Sequence, residues 1–217
     1  MSAIAFSVRR PITTRVATAI PVAFVWIFFA SANFSNWRVT HRPIGLGATA
    51  LELMVAALFV FRRSPWLVSR SPVAWGAAAI GTFGMAGGRP AYAPVAGLEF
   101  VYSGMQIAGA LISAAAVIAL GRSFGIVAAN RGIRTCGPYR WVRHPLYSGY
   151  AVTEIGYLLE NPSVRNWCLF SVVMTCQAVR IFEEERTLGA DPEYVRYASR
   201  VKGRVVPALW RRPAPEV

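Results

Sequence analysis

The sequence predicts an all-α, polytopic membrane protein with about five to six transmembrane helices and a cytosolic C-terminal helical site. Three observations carry this. Apolar residues make up 55% of the chain and charged residues only 15%, whereas a soluble domain carries roughly 25% charged residues. The apolar residues gather in six runs, at about 16–34, 44–61, 73–88, 98–120, 146–159 and 163–182. The net charge of +13 falls mainly between those runs and in the tail, which is how short loops orient spans.

Composition also excludes classes. The cationic residues are 22 Arg and a single Lys, Lys202. A nucleic-acid surface would interleave its basic residues with aromatics, but the aromatics here lie in the apolar runs, so no nucleic-acid partner is expected. Two histidines and three cysteines (Cys136, Cys168, Cys176) form no CxxC and no Cys/His cluster, so no metal site is expected. The odd cysteine count argues against a disulfide framework, and Cys168 and Cys176 suit packing within an apolar helix.

A span needs about 20 residues to cross a ~30 Å hydrocarbon core. The first and fourth runs meet that comfortably, and the second is adequate. The third and fifth are short and Gly-rich, which suits tilted or partly buried helices. The first run follows Arg9, Arg10 and Arg15 and contains "ASA" at 30–32, the outline of a leader peptide, but its apolar length suits an uncleaved span. Arg-rich segments (the N-terminus, 62–72, 121–144 and the tail) alternate with poorer ones (35–43, 89–97, 160–165). Both termini are therefore expected in the cytosol. The Arg bias suits a GC-rich genome and a bacterial cell membrane. Residues 1–120 read as N-terminal transmembrane helices and 121–217 as a C-terminal core, one integrated domain. "GTFGMAGG" at 81–88 has the spacing of a dinucleotide loop. However, no strand precedes it and Arg89-Pro90 follows it at once, so helix packing or a frayed helix end is the better reading.

Two stretches carry chemistry. In "GPYRWVRHPLYSGY" (137–150), Pro145 suits the first turn of a helix, where its missing N–H is no loss. His144 then lies beside the cap. A helix start offers free N–H groups and partial positive charge, and Arg143 adds a full charge. Gly149, Thr153 and Gly156 fall near one helical face. The residues leave two readings open: an anion pocket with a close-approach strip, or a positive-inside anchor with a small-residue packing face. In "RIFEEERTLGADPEYVRYASRVKGRVVP" (180–207), Glu183 to Glu185 hold three of the ten acidic residues at a span end. They must be solvated or paired there, with Arg180 and Arg186 as the local partners. Gly189 suits a helix stop, and Asp191-Pro192 suits an N-cap and first turn. A short helix over about 192–202 then sets Tyr194, Tyr197 and Val201 on one face and Arg196 and Arg200 on the other.

Jointly, "GPY-x-x-x-RHP-x-Y-x-G", "EE-x-x-L", "Y-x-x-Y" and "R-x-x-P" resemble the membrane-embedded isoprenylcysteine carboxyl methyltransferases and phospholipid methyltransferases, over about residues 120–207. The resemblance implies an all-helical membrane core that holds S-adenosylmethionine, with S-adenosylhomocysteine as product. It implies that Arg143, His144, Pro145, Tyr147, Gly149 and Glu184 bind the cofactor, that Glu185 and Arg204 are catalytic, and that Tyr197 binds the acceptor. Glu183 is an extra carboxylate, which leaves open whether Glu183/Glu184 or Glu184/Glu185 is the pair in register. The implied acceptor is lipid-like or amphipathic and arrives from the bilayer. A carboxylate acceptor needs no base, whereas an amine or hydroxyl would call on Glu185 or His144. Two other classes share features of this sequence: NADPH-dependent membrane reductases of the sterol reductase type, and non-catalytic membrane transport or assembly proteins.

Overall fold

Each apolar run forms a helix. The computed structural model describes residues 5–6, 12–41, 43–90 and 96–207, with side chains from 20–41, 45–90 and 96–207. The helices are α1 (Ile12–Thr40), α2 (Pro43–Phe61), α3 (Pro72–Phe83), α4 (Glu99–Leu120), α5 (Pro145–Glu160), α6 (Val164–Leu188) and α7 (Pro192–Arg200). The expected tail arginines beyond 207, and Arg9, Arg10 and Arg42, lie outside the described residues. The expected orientation of the termini rests partly on them.

By length and apolarity, two of the described helices can cross a bilayer, Ile20–Thr40 and Glu99–Ser123, with a shorter apolar helix at Gly45–Phe61. The 25 residues of α6 are long enough, but the charges of its last turns lower its apolar character. The 12 residues of α3 reach only about 18 Å. Six of the seven helices, α1 to α6, correspond to the six apolar runs, and two of the described helices meet the length and apolarity of a span.

The helices pair as α1 with α2, α4 with α5, and α3 with α6. Phe24, Phe28, Phe100, Leu111 and Ile118 are exposed on the outside, as lipid-facing side chains are. The α4–α5 contact explains the small-residue strip. A Cβ on Gly149 would lie 2.8 Å from the Gly109 carbonyl oxygen, and one on Gly156 would lie 2.8 Å from that of Tyr102. Only glycine admits such a backbone approach. Gly84 behaves alike: it opens the 3-10 turn Gly84–Gly87, and a Cβ there would fall 2.5 Å from Val173 Cγ2 on α6. The "GTFGMAGG" glycines therefore serve packing and the end of α3.

One element departs from the expected all-α class. Two-residue strands β1 (Ala5–Phe6), β2 (Leu67–Val68) and β3 (Ala129–Asn130) form a small antiparallel sheet in the order β1-β2-β3. Leu67 pairs with Asn130 and Val68 with Ala129. The sheet fixes the 121–144 loop against the 62–72 loop. Below it, Val55, Phe59, Val117, Phe124, Tyr139 and Leu146 form a buried cluster that includes Tyr194 and Tyr197 of α7. This cluster is the floor on which the site is built.

Candidate functional site

Pro145 occupies the first turn of α5 and His144 is its N-cap. The backbone just before the helix does not stay free. The Arg143 N–H donates to the Gly203 carbonyl at 2.9 Å, and the His144 N–H donates to the Arg204 carbonyl at 2.8 Å. The first-turn donors of Tyr147 and Ser148 both reach the His144 carbonyl, at 3.2 and 3.3 Å. Thus the chain after α7 is laid across the start of α5. The open ring of N–H groups expected there is largely satisfied by protein.

That strap brings the two motifs together. Glu185 accepts from Arg204 Nε at 2.9 Å on Oε2, and its Oε1 lies 3.2 Å from both Arg143 Nη2 and His144 Nε2. Glu184 accepts from the Tyr147 hydroxyl, and its other oxygen lies 3.6 Å from His144 Nδ1. His144 is 4% exposed and bridges the two carboxylates. Glu183 points elsewhere: Ser69 donates to it at 3.3 Å and Arg186 lies 3.6 Å away. Glu184/Glu185 is therefore the pair that shares His144, which decides the register left open by the three adjacent glutamates.

The electrostatics follow. Burial disfavours protonation of His144, but its hydrogen bonds to Glu184 and Glu185 and their charges outweigh that and raise its pKa above 6.5. Burial would likewise raise Glu185, yet the hydrogen bonds from His144 and Arg204 and the Arg143 charge bring it to about 2. Glu185 therefore stays a carboxylate at neutral pH. A carboxylate held that low is a weak proton acceptor, and the contacts of His144 with Glu184 and Glu185 favour its protonated form.

Beside this network opens a pocket of about 800 Å³, counting its mouth, lined by Arg143, His144, Tyr147, Glu184 and Tyr197 among others. The Tyr197 hydroxyl donates to the Tyr139 carbonyl at 2.7 Å, so it pins the 139–142 turn while its ring lines the pocket. Pro145 is buried in the helix start, and Gly149 faces α4; neither is among the lining residues. Arg204 and Glu185 are likewise not among the lining residues; the half-exposed Arg204 side chain meets Glu185 beside the pocket.

Sequence reasoning missed several lining residues. Arg180 is buried, donates to Gln177 at 3.0 Å and to the Ile126 carbonyl at 3.1 Å, and its guanidinium carbon sits 5.1 Å from the centre of the Tyr147 ring. A lone arginine in an apolar run was the signal. Arg131, Tyr139 and Tyr194 also line the pocket, and the Tyr194 hydroxyl is buried without a partner. Arg131 sits in a loop and carried no signal in the sequence. Among the described residues no group of His, Cys, Asp and Glu could hold a metal ion.

The fold and the site define a helical, membrane-type protein with an ion-paired pocket where helix ends meet. Residues 102–190 match the model of the Isoprenylcysteine carboxyl methyltransferase (ICMT) family. That segment, which runs from the first turn of α4 to just past α6, is similar to the isoprenylcysteine carboxyl methyltransferase family. The match contains the RHP motif and the glutamate pair and stops before α7 and Arg204. A comparison with curated proteins gave no match.

Proposed function

We propose that this protein is an integral membrane methyltransferase that uses S-adenosylmethionine to methylate an amphipathic or lipid-like acceptor. The observation that carries the reading is the Arg143–His144–Tyr147–Glu184–Glu185–Arg204 network, assembled beside one pocket from motifs that lie apart in the sequence. The residues present fit the cofactor. Glu184 has lone pairs for an ammonium beyond those taken by Tyr147 and His144. Arg143 Nε and the Tyr194 hydroxyl are buried donors without a protein partner, as a polar ligand would require. When bound, S-adenosylmethionine supplies a methyl carbon on a sulfonium.

The residues of the chain position and desolvate. Tyr147, Tyr197 and Leu188 give the pocket apolar walls, which exclude water from an in-line displacement. Glu185 holds Arg143, His144 and Arg204 in one array and so acts as a positioning residue. Arg204, half-exposed beside Glu185 and with forked donors, holds an acceptor oxygen. With Glu185 held low by its cationic partners and His144 biased toward its protonated form, the site suits an acceptor that needs no base. A carboxylate meets that, since its oxygen would accept a methyl group without giving up a proton. The acceptor would enter from the bilayer and the cofactor from the cytosol, with both termini on the cytosolic side of a bacterial cell membrane. Reporter fusions at residue 217 that are active only outside the cytosol would reject that orientation.

The test is direct. S-adenosylhomocysteine should raise the melting temperature of the purified protein and NADPH should not. Labelled methyl should pass from S-adenosylmethionine into a total lipid extract, giving a base-labile ester by mass spectrometry. Protection by NADPH instead, or no labelled product with any extract, would reject the reading.

A further inference from the structure

The pocket holds four arginines, and three have protein partners. Arg143 pairs with Glu185, Arg180 donates to Gln177 and to Ile126, and Arg134 Nε donates to Ser123 at 3.3 Å. Among the described residues, the Arg131 guanidinium has no hydrogen bond and no ion pair, and its Nε is buried without a partner. Its surroundings make the lack more costly. Burial first, and then the nearby Arg62 charge, bring its pKa down to about 10, with the charge of Glu184 opposing them.

The fold nonetheless keeps Arg131 in place. Asn130 is fully buried; its amide donates to Asp191 at 2.7 Å and its carbonyl accepts from the Gly132 N–H at 2.9 Å. That ties the end of β3 to the N-cap of α7. Gly132 has φ +98, so it turns the chain immediately after Arg131. Gly125 leaves the space the guanidinium occupies, since a Cβ there would collide with Nη1 and with Cζ of Arg131. A surface arginine needs no such recess. A buried fork with unmade hydrogen bonds suits an anion that brings its own acceptors.

We propose that Arg131 receives the carboxylate of the cofactor's amino-acid end, the role expected of Arg143 from the sequence. This rests on the methyltransferase reading. The amino-acid end carries its carboxylate and its ammonium on one carbon. It therefore needs a cation and an anion close together in one pocket. Arg131 and Glu184 both line the pocket and act on each other electrostatically. Arg143 gives Nη2 to Glu185 and keeps its Nε unpaired, so it offers the carboxylate less of its fork than Arg131 does.

The experiment is calorimetry in detergent with two probes, S-adenosylhomocysteine and its decarboxylated analogue, which keeps the adenosine and the amine. Arg131→Gln should weaken S-adenosylhomocysteine about 10- to 100-fold, the range of one charge-assisted contact, and leave the analogue unchanged. Gly125→Ala should show the same selectivity by displacing the guanidinium. The ligand-free melting temperature of Arg131→Gln should not fall, because an unpaired buried charge has been removed. Four results would overturn the assignment: S-adenosylhomocysteine affinity within twofold of wild type in Arg131→Gln, equal losses for both probes, a lowered ligand-free melting temperature without selectivity, or a raised KM for the acceptor alone. If wild type binds neither probe, the methyltransferase reading itself fails. If wild type binds and Arg131→Gln binds equally, only this assignment fails.

Discussion

The two ends of the α5–α6 pair are built on opposite plans. At the closed end, where α5 turns into α6, Asn166 is fully buried and every polar atom of its side chain is used. Its Oδ1 accepts from the Arg89 N–H at 3.1 Å, and its Nδ2 donates to the carbonyls of Arg89 and Asn161, both at 2.8 Å. Arg165 adds a bond to the Gly87 carbonyl at 3.0 Å. At the open end, two carboxylates face Arg143, His144 and Arg204, and the buried Nε atoms of Arg131, Arg143 and Arg180 and the Tyr194 hydroxyl lack partners. Proteins rarely leave buried polar groups unmade. The closed end is a finished clasp of mostly neutral groups, and the open end keeps hydrogen-bonding capacity in reserve for a ligand.

The sharpest way to break that contrast is to remove the carboxylate on which the open end converges. Glu185→Ala leaves Arg143, His144 and Arg204 facing one another. Removing one partner of a buried ion pair costs about 3–5 kcal/mol, and the exposure of Arg204 puts the expected loss near the lower figure. Thermal or denaturant unfolding in detergent measures it. A loss under about 0.5 kcal/mol would mean that the glutamates form a solvated helix end and no more.

Arg204 should give the next largest effect, and in a different observable. Arg204→Ala is expected to lower turnover on the order of 10²-fold, as contacts made chiefly at the reacting geometry do, while S-adenosylhomocysteine affinity stays the same. Arg204→Lys keeps the charge without the fork. Nearly full activity in that variant would reduce Arg204 to a tail anchor.

At the closed end the pattern should reverse. Asn166→Ala should cost about 2 kcal/mol of stability through the unpaired Arg89 and Asn161 groups. Below its melting temperature it should leave turnover and cofactor affinity unchanged. A variant that stays stable but loses affinity would show that the closed end communicates with the site.

What was legible in the sequence follows the same division. The runs, Pro145 at the start of α5, Asp191 at the start of α7 and the joint motif were readable, because periodicity, caps and spacing are local. The strap of 203–204 across 143–144 was not, since strand-like pairing of two loops leaves no periodic trace. Arg131 was unreadable for a related reason. Its place is set by Asn130 reaching Asp191, 61 residues on, and by the recess at Gly125, which only the folded loop reveals. The three glutamates were separable only in three dimensions, because only helical phase against β2 and α5 tells Glu183 from its neighbours. The glycines of α5 were read as either a ligand strip or a packing face, and the backbone of α4 now fills that face.

The smallest expected effect is the pH dependence of the open end, and it separates the two ends without altering either covalently. The folded pKa of His144 is raised above its ordinary 6.5, so its contribution to stability is full below that value and is lost as pH rises through the folded pKa. The folded pKa of Glu185 lies near 2, below its ordinary 4.5, so its contribution is present above 4.5 and is lost as pH falls toward 2. Wild-type stability should therefore be highest between about 4.5 and 6.5 as far as these two groups are concerned, with an alkaline limb due to His144. That limb should be shallow, because Arg143 and Arg204 still hold Glu185 when the imidazole loses its proton. His144→Gln should flatten the alkaline limb and keep the acid one, and Asn166→Ala should lower the whole curve without changing its shape. Melting temperatures recorded across pH for the three proteins decide it, and an unchanged alkaline limb in His144→Gln would remove the imidazolium from the network.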